Sequence, residues 1–167
     1  MNERRNEAQR ARAWWKVLLA AVCLGAFLDQ AIGADVMAAK IHRWVDALTH
    51  ERDEEKAVAA LVSLGPDAAP YLVGELGDMR PLPSESVSIH MSGSFEGLSH
   101  YGPKVVHDAV TLVLNEITGK NFEFVYNGAD PAMRARNTQQ WQEWCVATYP
   151  DKARICSRSR LTRRDKL

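Results

Sequence analysis

The sequence lacks the short motifs that mark most enzymes. It has no Gly-x-Ser-x-Gly, no glycine-rich phosphate loop and no His-Glu-x-x-His, the patterns of a serine nucleophile, a nucleotide site and a zinc protease. Its 3 cysteines are not accompanied by clustered histidines, so the four ligands of a structural zinc site are absent. We therefore predict no catalytic residue, no metal and no cofactor.

Net charge is absent as well, because 21 Lys and Arg residues balance 21 Asp and Glu residues. Different parts of the chain, however, carry different net charges. Residues 1–16 carry five basic and two acidic groups, residues 151–167 carry seven and two, and residues 17–150 carry nine and seventeen. Phosphate contacts require clustered cations. The acidic central part therefore argues against nucleic acid as a partner.

No apolar run is long enough to span a bilayer comfortably. The apolar segment Val17–Leu28 follows five basic residues and precedes small residues at positions 31, 33 and 34, which is the order of a secretory signal peptide. We expect residues 1–34 to be such a peptide, cleaved near Gly33 or Ala34. The alternatives are an uncleaved inner-membrane anchor and a buried cytosolic helix. In both exported cases the domain is periplasmic or secreted.

Residues 53–76 have the pattern of two amphipathic helices. Apolar residues recur at helical spacing from Ala57 to Leu64, after an acidic first turn, as in a helix that buries one face. The pair Gly65-Pro66 is typical of a left-handed helix end followed by a stop. We predict Asp67 as the N-cap of the second helix, whose apolar stripe runs to the end of this segment.

A second Gly-Pro pair opens another apolar helical run. Gly102-Pro103 precedes apolar residues at helical spacing from Val106 to Ile117, and Thr118-Gly119 ends the pattern. The two Gly-Pro pairs therefore mark two successive helical units. Fewer than three units is short for a solenoid, so we expect other elements to cap the array.

These units resemble a known repeat family. Residues Ala57–Leu61 and Leu64–Ala68 resemble the HEAT-repeat pattern of an alanine-leucine helix, a Leu-Gly turn and a proline-containing second helix. From Gly102 to Cys145, the order of Gly-Pro, helix, Ile-Thr-Gly, aromatic residues and Trp-x-x-Trp resembles uncharacterised HEAT-like exported bacterial proteins. The resemblance implies a mainly α fold of short HEAT-like helical hairpins over residues 35–150, and implies no reaction.

A long connection with proline, serine and glycine separates the two units. Within it, apolar residues alternate with polar ones over Ser86–Met91, and aromatic residues alternate in the same way over Asn121–Tyr126. Alternation is typical of strands. We predict that these two segments pair as a small antiparallel β-ribbon inserted against the helices. The alternative is an extended loop.

The last helix has clear start signals, with Asp130 as N-cap and Pro131 in the first position. Trp141 and Trp144 lie one turn apart on it. Our main interpretation is that they close the end of the hydrophobic core. The sharper alternative is a platform for sugar stacking or partner docking, since tryptophan is frequent in binding hot spots.

Two cysteines lie outside the export segment, Cys145 and Cys156. In an oxidising compartment such a pair forms a disulfide that ties the C-terminal tail to the last helix; the alternative is two unpaired thiols. Residues 151–167 read as a basic, flexible tail. Together with Val17–Leu28, this tail offers a means of membrane association, because basic residues are attracted to anionic lipid.

Function is the least determined property. Our leading hypothesis is a non-enzymatic, exported module of the cell envelope that binds a protein partner or acts as a scaffold. Its contact surface would be the long loop and the adjacent second-unit helix. The candidate binding residues are His90, Ser92, Phe95, Glu96, His100, Tyr101, His107, Trp141 and Trp144.

Two alternatives come from other classes. One is a small envelope hydrolase or modifying enzyme that uses His90, His100 or His107, because a histidine near a serine and an acidic residue can activate a nucleophile. The other is a structural accessory subunit, held in a membrane complex by an uncleaved N-terminal helix.

Overall fold

The computed structural model describes residues 36–84, 86–89, 99–125 and 127–158. The chain divides into two compact units, Met1–Met37 and Ala38–Leu167, and the core residues named below belong to the second. The predicted mainly α fold class is confirmed. The helices are α1 (36–47), α2 (Glu54–Val62), α3 (Ala69–Val73), α4 (Val106–Thr118), α5 (Pro131–Thr148) and α6 (Ala153–Cys156), and the strands are β1 (Val87–Ile89) and β2 (Ser99–Tyr101).

Helix α4 is the central element of the core. All of its residues from Val106 to Leu114 are buried, and it contacts α2 and α3. A helix with apolar residues on every side is buried on every side. Over these residues α4 has no exposed face that could belong to the predicted contact surface.

The turn between α2 and α3 follows the prediction only in part. Gly65 has a positive φ of +67°, which favours glycine, but its ψ of −169° lies outside the left-handed helical region, so the predicted left-handed helix end is not formed. Asp67 does not cap a helix with its side chain and instead lies inside the 3₁₀ turn Pro66–Ala68. Because this turn occupies the predicted first residues of the helix, α3 begins at Ala69, and it already ends at Val73.

The β-ribbon exists, but its predicted partner is wrong. Strand β1 pairs antiparallel with β2, with Val87 opposite Tyr101, and an isolated bridge joins Pro81 to Val105. A partner close in the chain requires less loop-closure entropy than one beyond α4. Residues 119–125 form no strand: Phe122 packs edge-on against a tryptophan of α5, and Phe124 is 62% exposed. Tyr126, His90 and Met91 lie outside the described residues.

The C-terminal elements pack on the core beyond the predicted domain boundary. A 3₁₀ turn, Pro150–Lys152, leads into α6, which contacts α3 and α5. A disulfide joins Cys145 of α5 to Cys156 of α6, and both residues are fully buried. The predicted flexible tail from residue 151 therefore starts too early, because helical structure continues to Cys156. Residues 159–167 lie outside the described part of the chain.

The export prediction concerns residues 1–34, which lie outside the described residues. Among the helices that the structure describes, none combines the length and the apolar character needed to cross a bilayer.

Candidate functional site

Two antiparallel chain segments, residues 78–84 with 86–89 and residues 99–105, form a hairpin arm at the N-terminus of α4. The Arg80 carbonyl accepts a hydrogen bond from the Val106 amide at 2.9 Å, and the Asp78 carbonyl accepts one from the His107 amide at 2.9 Å. The first amides of a helix have no partner within the helix. The arm thus caps α4 with its own main chain, and the cap fixes the base of the arm.

The side chain of His107 also bonds to the chain at the base of the arm. The ring is fully buried, and its Nδ1 accepts a hydrogen bond from the Gly77 amide at 3.1 Å. The neutral ring then carries its proton on Nε2. Burial lowers the pKa of His107 to about 4, although the Asp108 charge opposes the shift. The prediction that His107 is a contact residue is wrong, because its ring lies in the core.

Asp108, whose carboxylate is fully buried, and Arg134, which is partly exposed, form a charge pair that joins α4 to α5. The Arg134 Nε donates to Asp108 Oδ1 at 2.7 Å, and its Nη2 donates to Oδ2 at 2.8 Å. The hydrogen bond to Asp108 raises the pKa of Arg134. The Lys104 amide also donates to Asp108 Oδ2, at 3.0 Å. The carboxylate therefore holds the second segment of the arm as well as α5.

Arg80 joins the arm to α1. Its Nη2 lies 2.7 Å from an oxygen of Asp78 and 2.7 Å from an oxygen of Asp46. The hydrogen bond to Asp78 is the main cause of the raised pKa of Arg80. The guanidinium remains charged and connects the first segment of the arm to α1.

The second segment of the arm has one further attachment. The Gly102 amide donates to Asn127 Oδ1 at 2.9 Å. In the first segment, β1 contacts α2. The arm is therefore fixed at several separate points on both of its segments. Residues 90–98 lie outside the described part of the chain.

The predicted binding residues differ in how exposed they are. Trp141 is fully buried, which fits the interpretation as core and contradicts its role in binding, whereas Trp144 is half-buried. Their rings are 5.3 Å apart, and Trp144 lies 5.8 Å from Tyr149. Tyr101 is half-exposed on β2. The remaining predicted positions, His90, Ser92, Phe95, Glu96 and the side chain of His100, lie outside the described part.

Sequence reasoning did not identify the residues that hold the arm. Arg80, Asn127 and Arg134 were not singled out, because each has a partner 25 or more positions away in the chain. One local signal was available: an aspartate in the first turn of a helix, such as Asp108, favours contacts at that helix end.

The described arrangement offers no evident reaction centre. Within the described ranges, no group of three or more His, Cys, Asp or Glu residues could hold a metal ion. At the arm base, Arg80 is paired with Asp78, Arg134 is paired with Asp108, and His107 is buried. These contacts attach the arm to the helical core. Comparisons with known proteins find no match to a family model, to a curated protein or to a solved structure.

Proposed function

We propose that this chain is a non-enzymatic, exported module of the cell envelope that binds a protein partner or acts as a scaffold. Its contact surface would be the hairpin loop, residues 90–98. The observation that carries the proposal is the attachment of both arm segments at separate points, through the α4 cap and the bond between Gly102 and Asn127. A frame that fixes both ends of a loop reduces the entropy lost when the loop binds.

We also infer that α2–α3 and α4–α5 are two degenerate HEAT-like units. Gly65 and Pro66 between α2 and α3 support this inference, as do the contacts of α3 with both α4 and α5. In this arrangement the arm is an insertion between the two units. The loop, and not the helix faces, would then provide the binding surface, because α4 is buried.

The test replaces residues 91–97 with a Gly-Ser linker of equal length. This variant retains β1 and β2, so the paired strands and the arm base stay intact. The natural and variant proteins are tagged and used to capture partners from envelope fractions of the native host. A captured partner is then purified and titrated against both proteins. We expect the natural protein alone to bind it.

A matched control alters an exposed surface far from the arm in sequence. Gln139, Glu143 and Val146 are exposed on α5, and their combined change to alanine should leave capture unchanged. If the loop variant binds the same purified partner with equal affinity, the loop is not the contact surface. If neither protein captures a partner, the binding-module proposal fails.

Export and membrane association are separate parts of the proposal. The mass of the mature protein in the envelope distinguishes a peptide cleaved near Gly33 or Ala34 from an uncleaved anchor. Removing residues 159–167 tests the basic tail: salt-sensitive association with anionic vesicles should fall if the tail binds lipid. Equal association of the truncated protein would contradict this role.

A further inference from the structure

We propose that the hydrogen bonds at the arm base form a pH-sensitive latch, which releases the hairpin arm from α4 when His107 takes up a proton. The latch consists of the Gly77–His107 side-chain bond and the main-chain bonds from α4 to Asp78 and Arg80. The inference rests on the proposed function in one respect, since it takes the arm as the carrier of the contact surface.

The geometry makes the imidazole sensitive to protonation. Nδ1 of His107 is an acceptor for the Gly77 amide, and a protonated imidazole has donors on both nitrogens. Two N–H groups would then face each other in the core. Gly77 directly precedes Asp78, whose carbonyl accepts from the His107 amide. Loss of the first bond therefore disturbs the second at a neighbouring residue.

The surrounding charges only partly favour a charged ring. Asp108 on α4 and the Asn137 amide on α5 favour the protonated form, while Arg134 on α5 opposes it. On the arm, the Asp78 carboxylate is engaged by Arg80. Of the helices that contact α4, α3 has no charged residue, and α2 contributes one buried carboxylate, Glu54.

Burial is the strongest influence on the ring. It lowers the pKa of His107 from 6.5 to about 4 in the closed arrangement. Once the ring leaves the core, this penalty is lost and the pKa returns toward its ordinary value. Protons therefore bind more strongly to the open form between these two values. Acid favours release of the arm, and neutral pH favours the closed latch.

The release can remain local because the rest of α4 is held by other contacts. Residues from Ala109 to Leu114 are buried, and Thr111 donates a buried hydrogen bond to Asn137 of α5 at 3.0 Å. Local opening with a preserved core is the expected response when one set of bonds is weaker than the others.

The test measures hydrogen-exchange protection of single amides from neutral pH to mildly acid pH, corrected for intrinsic exchange rates. The latch amides are those of Gly77, Val106 and His107, and the reference amides are those of Val110 and Leu114 in the interior of α4. Protection of the latch amides should fall by about tenfold per pH unit between about pH 6 and about pH 4.5. The reference amides should keep their protection.

Two variants make the measurement specific. His107→Asn offers a neutral acceptor near the position of Nδ1 and cannot take up the proton, so its latch protection should not depend on pH. His50→Asn removes a histidine that is exposed after α1, and the fall should persist. If His107→Asn does not fold, the natural protein alone decides by comparison of latch and reference amides.

Three results would overturn the proposal: equal loss of protection at latch and reference amides, no pH dependence at the latch, or the same pH dependence in a folded His107→Asn variant. The exchange measurement requires no partner, so it can succeed where the binding proposal fails. Conversely, a purified partner that binds equally at neutral and acid pH, while the latch opens, would show that the loop does not need the closed arm.

Discussion

The two ends of the helical core are held by different chemistry. At the N-terminus of α4, main-chain bonds, a neutral buried imidazole and a charge pair join the hairpin arm to the helices. At the C-terminus of α5, edge-to-face aromatic rings and a disulfide join α5 to α6. The first end depends on the protonation state of His107. The second depends on a covalent bond that acid does not break.

This difference indicates where the molecule can open. Polar contacts in the interior are sensitive because an unpartnered buried group is destabilising. Apolar contacts fail gradually, and the disulfide prevents α6 from separating far from α5. We therefore expect the arm end to respond to pH and to single charge changes, and the α6 end to respond mainly to reduction.

The largest effect should follow loss of Arg134. In Arg134→Met, the fully buried Asp108 loses its charged partner, and we expect the free energy of unfolding to fall by about 3–5 kcal/mol. Urea denaturation of the purified protein measures this change. The exposed pair of Arg136 and Glu123 supplies a matched control, because Arg136→Met should change stability little.

The double variant Asp108→Asn/Arg134→Met tests the cause. It removes the stranded charge together with its partner, so it should be more stable than Arg134→Met alone. Equal stability of the single and double variants would show that the buried charge is not what destabilises the arm end.

Removal of the disulfide should have the next largest effect, at the other end. The bond closes a loop between residues 11 apart in sequence, and its loss should lower the free energy of unfolding by about 3 kcal/mol. The variant Cys145→Ala/Cys156→Ala, compared with the oxidised natural protein, measures this value. Its latch amides should keep the pH dependence of the natural protein, and a loss of that dependence would show that the two ends are coupled.

Global stability should also depend on pH through the arm end. The pKa of His107 is about 4 in the folded protein and about 6.5 in the unfolded chain, so the unfolded chain binds more protons between these values. Stability is therefore present above about pH 6.5 and is lost as the pH falls toward about 4, by up to roughly 3 kcal/mol.

Urea denaturation at several pH values measures this slope in the natural protein and in His107→Asn. The variant should have a smaller slope in this window, while the double cysteine variant should keep the slope of the natural protein. An unchanged slope in His107→Asn would assign the acid sensitivity to other groups.

The sequence predicted the parts of the fold that depend on local signals. The N-cap at Asp130 is confirmed, because its side chain accepts a hydrogen bond from the Met133 amide. Gly119 ends α4 in the left-handed conformation, at the position where the Thr-Gly pair was expected to end it. Caps and turns depend on residues within a few positions, so a single sequence carries their signal.

The parts that depend on distant contacts were missed. The alternation over residues 121–126 was interpreted as a strand, but Phe122 uses its ring to pack on Trp141 of α5. His107 was named as a candidate binding residue, but its ring is fully buried. Its burial follows from an amide 30 positions earlier in the chain, and no local pattern contains that partner.

The smallest predicted effect concerns the first turn of α5, the helix that connects the two ends. Asp130 caps the first turn of α5 through the Met133 amide at 2.8 Å, and Arg134 lies one turn later in the same helix. Asp130→Ala should lower the free energy of unfolding by about 1 kcal/mol, as for other N-cap losses. Fraying of this turn would displace Arg134 from Asp108, whereas Cys145, near the opposite end of α5, would keep its position.

Hydrogen exchange measures whether the effect of Asp130→Ala is confined to the arm end of α5. In Asp130→Ala, protection should decrease at the Lys104 amide, which Asp108 holds, and stay constant at the Tyr149 amide near the disulfide. Asp130→Asn retains a capping oxygen without the charge and should behave almost as the natural protein does. If Asn destabilises as much as Ala, the carboxylate charge near Arg134, and not the cap, connects the start of α5 to the hairpin arm.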